Sequence, residues 1–294
     1  GVYWQWRFGL PRETDDLRAI HAASAAITND LPFDSPNNAV HRYRNIFVDL
    51  LGFPGASRPL RPTVNDNELH RLWRESQDDQ SLSNLRAGAW GDPRHAPGLA
   101  AMRALRPILD ELDHAAELER FRPRYSSSGD IFHPVDDDGP LSAIEVHSSH
   151  LTSFRAVGSL NAVQMRVSAH AEDWDDVERR VRAGLRLGSH LADEPFLFSL
   201  VIGALIETMT LEELRLILGE TRPPIPTIDS LIAIVEQVEK PSLLAPRLDI
   251  EKRRLVGEVR WAFSSDVYDV FTVYFCETRF ESDSPRRIIR DGNQ

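Results

Sequence analysis

His147 and His150 stand at i and i+3. On a helix that spacing puts two imidazoles on one face, where their ring nitrogens could share a metal ion. Glu145 lies two residues before His147 and points elsewhere, and no His-Glu-x-x-His string supports the pair. Polar histidines on a partly exposed helix are the plainer account. The run Asp136-Asp137-Asp138-Gly139 invites a calcium reading. With Gly139 as the turn glycine, Asp136 and Asp138 take the third and fifth ligand positions and Glu145 the twelfth. The first position would then be Pro134, which has no ligand atom, and the incoming helix is missing. Acids complementing a helix N-terminus, with Ser142 and Glu145 spaced as a capping box, account for the same residues.

The other reactive side chains resolve similarly. Asp110, Glu111, Asp113 and His114 read as the solvated face of an amphipathic helix. His190, near Asp193 and Glu194, reads as a cationic histidine suited to a helix C-terminal dipole. Cys276, the single cysteine, sits in the apolar run Val270-Phe271-Thr272-Val273-Tyr274-Phe275 and reads as a buried thiol. It rules out an internal disulfide or a multi-cysteine zinc cluster. Ser126, Ser127 and Ser128 have no base at a recognisable spacing. The sequence also lacks the G-x-S-x-G elbow, the phosphate loop and the dinucleotide fingerprint. No catalytic residue and no cofactor are expected. His147, His150, Asp136 and Asp138 are the weak metal candidates, and Trp4, Trp6, Phe8, Arg124 and Tyr125 the interaction candidates.

The elements that position these residues are helical by periodicity. Residues 13–28 carry a modest apolar stripe. Ser35-Pro36 opens a second helix, with Ser35 as cap, whose Val40, Tyr43, Ile46, Phe47, Leu50 and Leu51 share one face. A short amphipathic helix is expected near 67–76 and another helix over 99–120, with Pro107 kinking or restarting the latter. Residues 121–139 form a long loop. A central block follows: helices over about 141–169 and 174–191 joined by Ala171-Glu172-Asp173, then an apolar helix after Pro195. Gly184 and Gly188 share nearly one side of the second helix and suit close approach by a neighbour. Phe196 to Met209 is apolar nearly all round, which predicts burial on most sides, and a helix restarts at Thr210. Thr227 or Ser230 is expected to cap a helix to Val238. Residues 267–280 mix strand-favouring and helical signals, and continuity favours helix.

The chain has 294 residues, 41% of them hydrophobic and 27% charged, which suits a globular fold. A net charge of −11 argues against a general nucleic-acid binder, although Arg179, Arg180, Arg182 and Arg186 could form a local basic strip. The longest apolar run, Pro195 to Ile206, is shorter than the about 20 helical residues a bilayer requires. The opening Val2-Tyr3-Trp4-Gln5-Trp6-Arg7-Phe8 suits a position just outside a membrane anchor or signal segment, and equally an aromatic peptide packed on the domain. Since the chain opens on Gly1 and not Met, a processed or trimmed product is expected.

The hairpin around Ala171-Glu172-Asp173-Trp174, the segment Leu187 to Pro195 and the apolar helix after it together resemble a tetratricopeptide-type pair. With Asn38 to Arg44 and Glu251-Lys252-Arg253, the pattern is similar to an uncharacterised class of bacterial, often membrane-anchored helical proteins. The resemblance implies a helical fold and no particular activity. The small-residue signature of tetratricopeptide repeats is poorly kept, and no second copy follows at a period of about 34 residues.

These observations predict an all-α fold, an irregular helical bundle or short solenoid of antiparallel pairs. Residues 1–12 would be an aromatic tether, 13–280 one helical domain with a possible sub-boundary near 121–140, and 281–294 a charged tail. The expected function is a non-enzymatic scaffold that binds a protein or peptide, exported and tethered near a membrane. A subunit of a larger membrane-associated assembly and a metal-dependent protein are the alternatives.

Overall fold

A computed structural model describes residues 22–28, 30–51, 95–123, 131, 149–237, 248 and 250. The fold is all-α, with no strand among the described residues. Residues 22–27 are helical. The named helices are α1 (Val40–Arg44), α2 (Ala96–Ala104), α3 (Arg106–Ala116), α4 (Ser149–His170), α5 (Trp174–Leu191), α6 (Leu197–Glu220) and α7 (Ile225–Glu236). α1 runs directly into a π-helical stretch, Asn45–Leu50.

The first part of the chain departs from expectation at Ser35. Its hydroxyl accepts the Asn37 N–H at 3.2 Å within a turn, and α1 begins only at Val40. Asn38 is the reason. Its side chain bonds the Phe33 carbonyl at 3.0 Å, the Arg122 carbonyl at 2.8 Å and the Arg122 N–H at 2.9 Å, and its Oδ1 also accepts the Val40 N–H at 3.2 Å, so the helical start is set at Val40 and not at Ser35. The inner face of α1 and its π continuation is as the periodicity required: Tyr43, Ile46, Phe47 and Leu51 are buried in the main core with Phe121 and Phe154. Pro107 restarts a helix as expected. α2 ends at Ala104, Leu105 leaves helical geometry, and the proline occupies the first turn of α3.

The central hairpin turns through Glu172, which adopts φ +57°, and Asp173 caps α5 by accepting the Asp176 N–H at 3.1 Å. Cross-helix pairs set the directions. Asn161 meets Arg180 and Ser168 meets Asp176, so α4 and α5 run antiparallel. Gly184 faces Thr210 and Gly188 faces Gly203, so α5 and α6 are antiparallel as well. Gly184 and Gly188 do admit a close neighbour: an added Cβ on Gly188 would lie 2.7 Å from the Gly203 carbonyl oxygen.

Three expectations are corrected here. α6 is one helix from Leu197 to Glu220 and does not restart at Thr210. The Thr210 hydroxyl bonds back to the Ile206 carbonyl at 2.9 Å, which keeps the residue within the helix. α6 is also not buried on most sides. Ile206, Leu214 and Ile217 face inward, but Phe198, Val201 and Leu205 are 45–52% exposed. An all-round apolar surface permits burial, yet among the described helices α6 packs chiefly on α5 and α4, and the row Phe198, Val201 and Leu205 stays exposed. α7 starts after Pro224, and Thr227 is a buried residue inside it and not a cap. The expected helices at 67–76 and 267–280, the capping box of Ser142 and Glu145, the aromatic tether and the charged tail lie outside the described residues.

Candidate functional site

Polar chemistry in the described residues is concentrated in two buried centres. The first surrounds the turn from α5 to α6, where His190, Asp193, Glu194 and Ser199 are all buried. His190 Nε2 lies 3.0 Å from the Leu118 carbonyl oxygen, which can only accept, so Nε2 carries the proton. Nδ1 is therefore the acceptor, and the Tyr43 hydroxyl donates to it at 2.7 Å. Burial, reinforced by the positive charges of Arg186 and Arg120, lowers the His190 pKa to about 3 against the opposing bond to Leu118. Burial likewise holds the Tyr43 phenol well above its ordinary value. The histidine is thus neutral and not the cation that a helix C-terminus suggested. Desolvation outweighs the dipole here.

Asp193 accepts the Phe121 N–H at 2.8 Å and meets Arg120 at 3.3 Å, fastening the strand-like entry of residues 120–122 beside α1. Glu194 takes His150 Nε2 at 3.0 Å and the Ser199 hydroxyl at 2.9 Å. Serine, histidine and carboxylate are together, but in an order unsuited to acyl transfer. A serine nucleophile needs the imidazole on its own oxygen. Here the carboxylate stands between them, and all three side chains are buried.

The second centre is built on Arg180, which is 0% exposed. It pairs with Asp113 of α3 and lies 3.5 Å from Asp176 one turn earlier in α5. Asp176 also accepts from Ser168 at 2.5 Å, Arg179 at 2.9 Å and Gln164 at 3.1 Å. Burial raises its pKa, but these donors and Arg180 outweigh that and bring it to about 2. Asp113 goes the other way: burial and the nearby Asp176 charge raise it despite Arg180. A further buried pair, Arg166 and Glu213, links α4 to α6 at 2.5 Å.

Several sequence expectations change. His150 is buried against Glu194 and not on a partly exposed face. Asp113 does not belong to a solvated acidic face, although Asp110 pairs with Arg106 at an exposed position. Arg180 is withdrawn from the supposed basic strip, leaving Arg179 and Arg182 exposed and Arg186 half-buried. Trp4, Trp6, Phe8, Arg124, Tyr125, Asp136, Asp138 and His147 lie outside the described residues. Among the described residues, no three His, Cys, Asp or Glu side chains are placed to hold a metal ion, and no helix is long and apolar enough to cross a membrane.

Sequence reasoning missed Tyr43, Glu194, Asp176 and Arg180 as a buried polar framework. One signal was present: Arg180 stands three residues after Val177 and four before Gly184, both on the inward face of α5. It also missed the outward apolar rows. Phe198, Val201 and Leu205 on α6 are spaced i, i+3, i+7, and Ile225, Ile228, Ile232 and Val235 on α7 continue the same rhythm to i+10. Compared with known protein families, curated proteins and solved structures, the chain gives no match in any of the three.

Proposed function

We propose that this protein is a non-enzymatic helical scaffold that docks a protein or peptide through an amphipathic helix. The observation that carries this reading is the outward row Phe198, Val201, Leu205 on α6, with Val201 52% exposed and no described helix over it. Spacing of three and four residues is the seam that a partner helix fills with its own apolar stripe. Exposed large apolar side chains in a row, unlike scattered ones, mark an interaction surface. The buried polar centres support the same reading from the other side. Most of their ionic and hydrogen-bonding groups pair with one another across helices, tying α1, α3, α4, α5 and α6 together. The aromatic opening Trp4, Trp6 and Phe8 supports a location at a membrane surface, which cell fractionation tests.

The test is the double substitution Val201→Glu and Leu205→Glu. Both sites are exposed, so the fold and thermal midpoint stay near those of the parent. Partners captured from the source cell by the parent protein are lost with this variant and kept with Arg215→Glu on the same helix. The captured protein, once purified, reproduces the difference in a direct binding titration. Equal binding by all three proteins overturns the proposal.

A further inference from the structure

We infer that the outward face of α7 is a docking row for a basic amphipathic helix of another protein. The inference rests on reading exposed apolar rows as helix-docking faces, and it gives a second row a partner of stated charge.

α7 has two apolar faces. Leu231 and Ile234 face inward, in a cluster with Val177, Val181 and Leu185 of α5 and Leu214 and Ile217 of α6. On the other side Ile225 is 74% and Ile232 52% exposed, with Ile228 and Val235 also outward. Positions 225, 228, 232 and 235 are separated by three, four and three residues, the a and d rhythm of a two-helix seam.

Two acids edge this row. Asp229 follows Ile228 and Glu236 follows Val235, so each stands one residue past a d position. Seven residues apart, they lie on one side of the seam, at the positions where coiled coils carry the charges that choose a partner. Both are exposed, and among the described residues neither forms an ion pair or a side-chain hydrogen bond. No basic residue lies between Pro223 and Gln237 to offset them.

That edge decides what fits the row. A helix with Lys or Arg opposite Asp229 and Glu236 makes two ion pairs while its apolar stripe covers the isoleucines. A second copy of this chain does not. In an antiparallel two-fold pairing the same edge of each helix meets, so the acids of one copy face the acids of the other. In a parallel pairing they face the g position, which here is Leu231, buried in the inner cluster. The net charge of −11 adds to the repulsion between copies. The same two acids disfavour an anionic lipid surface.

The probes are two synthetic three-heptad helices with one shared Leu and Ile stripe, flanked by Lys in the first and by Glu in the second. Binding to the full-length protein is read by fluorescence anisotropy at low salt. The Lys helix should bind at least about tenfold more tightly, and added salt should shrink that preference. Ile232→Glu, at an exposed site, keeps the thermal midpoint near that of the parent and loses the Lys helix. Asp229→Asn with Glu236→Gln should weaken its binding about threefold to tenfold. Removing two other exposed acids, by Asp34→Asn with Glu117→Gln, should leave it unchanged. No binding of either helix, equal affinity for both, or equal losses from the two charge-neutralised variants overturns the inference. So does a parent dimer, seen by light scattering, that Ile232→Glu dissociates. Val201→Glu with Leu205→Glu on α6 should keep the Lys helix bound. Loss there with retention in Ile232→Glu overturns the assignment to α7 alone, so the two readings fail separately.

Discussion

The Tyr43 hydroxyl donates to Nδ1 of His190 at 2.7 Å across 147 positions of sequence, joining α1 to the end of α5. The same tyrosine ring packs against Phe121 at a centroid distance of 5.3 Å and Phe154 at 4.7 Å. Tyr43→Phe would keep those ring contacts and remove only the donor, leaving a buried imidazole nitrogen unsatisfied. The expected cost is about 1–3 kcal/mol, read as a lower urea midpoint with an unchanged slope. An unchanged midpoint would show that another donor replaces the hydroxyl.

Acid should destabilise the fold through His190. Its native pKa is about 3 and its ordinary value 6.5. Between the two, the unfolded chain binds a proton that the native state refuses. The stability this histidine contributes is complete above pH 6.5 and is lost as pH falls towards 3. From pH 7.5 to pH 5 the loss from this group is about 2 kcal/mol. His170, lowered by burial and by Arg166, acts with the same sign. Asp176, held at about 2 against an ordinary 3.8, adds its loss only below about pH 4. Denaturation at a series of pH values checks this. A midpoint that is flat from pH 7.5 to 5, or a fall that survives His190→Gln undiminished, would contradict it.

What the sequence made legible was local. Pro107 dictates a break wherever its neighbours lie, and Gly184 and Gly188 mark a close approach because a glycine pair in a helix otherwise only costs stability. The hairpin at Ala171–Asp173 follows from two strong helical patterns separated by too few residues for anything but a tight reversal. What stayed illegible depends on partners distant in sequence. His150 looks polar and exposed until Glu194 arrives from 44 positions away, and Arg180 looks like one of an arginine cluster until Asp113 arrives from 67. α6 was misread for the same reason. Its composition tolerates burial on every side, but only the packing of α4 and α5 decides which side is covered.

Removing Arg180 should be among the costliest single changes. Arg180→Met keeps most of the volume but takes the buried guanidinium away from buried Asp176 and half-buried Asp113, leaving them only the more exposed Arg106 and Arg179. Breaking one partner out of a buried ionic cluster costs about 3–5 kcal/mol. Adding Asp113→Asn should recover part of this, because a neutral amide at that position no longer repels Asp176. A double-mutant cycle by chemical denaturation measures the coupling. Strict additivity of the two substitutions would mean that the three charges do not act as one unit.

Gly188 and Gly219 form a matched pair for testing the helix contact. Both lie in helices, so alanine improves intrinsic propensity at either by up to about 1 kcal/mol. At Gly219 a Cβ meets nothing within 4 Å, and Gly219→Ala should raise the thermal midpoint slightly. At Gly188 the same Cβ would lie 2.5 Å from Glu207 Cγ and 2.7 Å from the Gly203 carbonyl oxygen. The glutamate stem can swing aside, but a backbone carbonyl in the middle of α6 cannot move without shifting the helix. Overpacking of this kind costs about 1–3 kcal/mol, so Gly188→Ala should be destabilising despite the propensity gain. Gly203→Ala, which would set its Cβ 2.5 Å from the Gly188 carbonyl oxygen, should behave alike. Equal midpoints for Gly188→Ala and Gly219→Ala would place α5 and α6 further apart than the glycine contact requires.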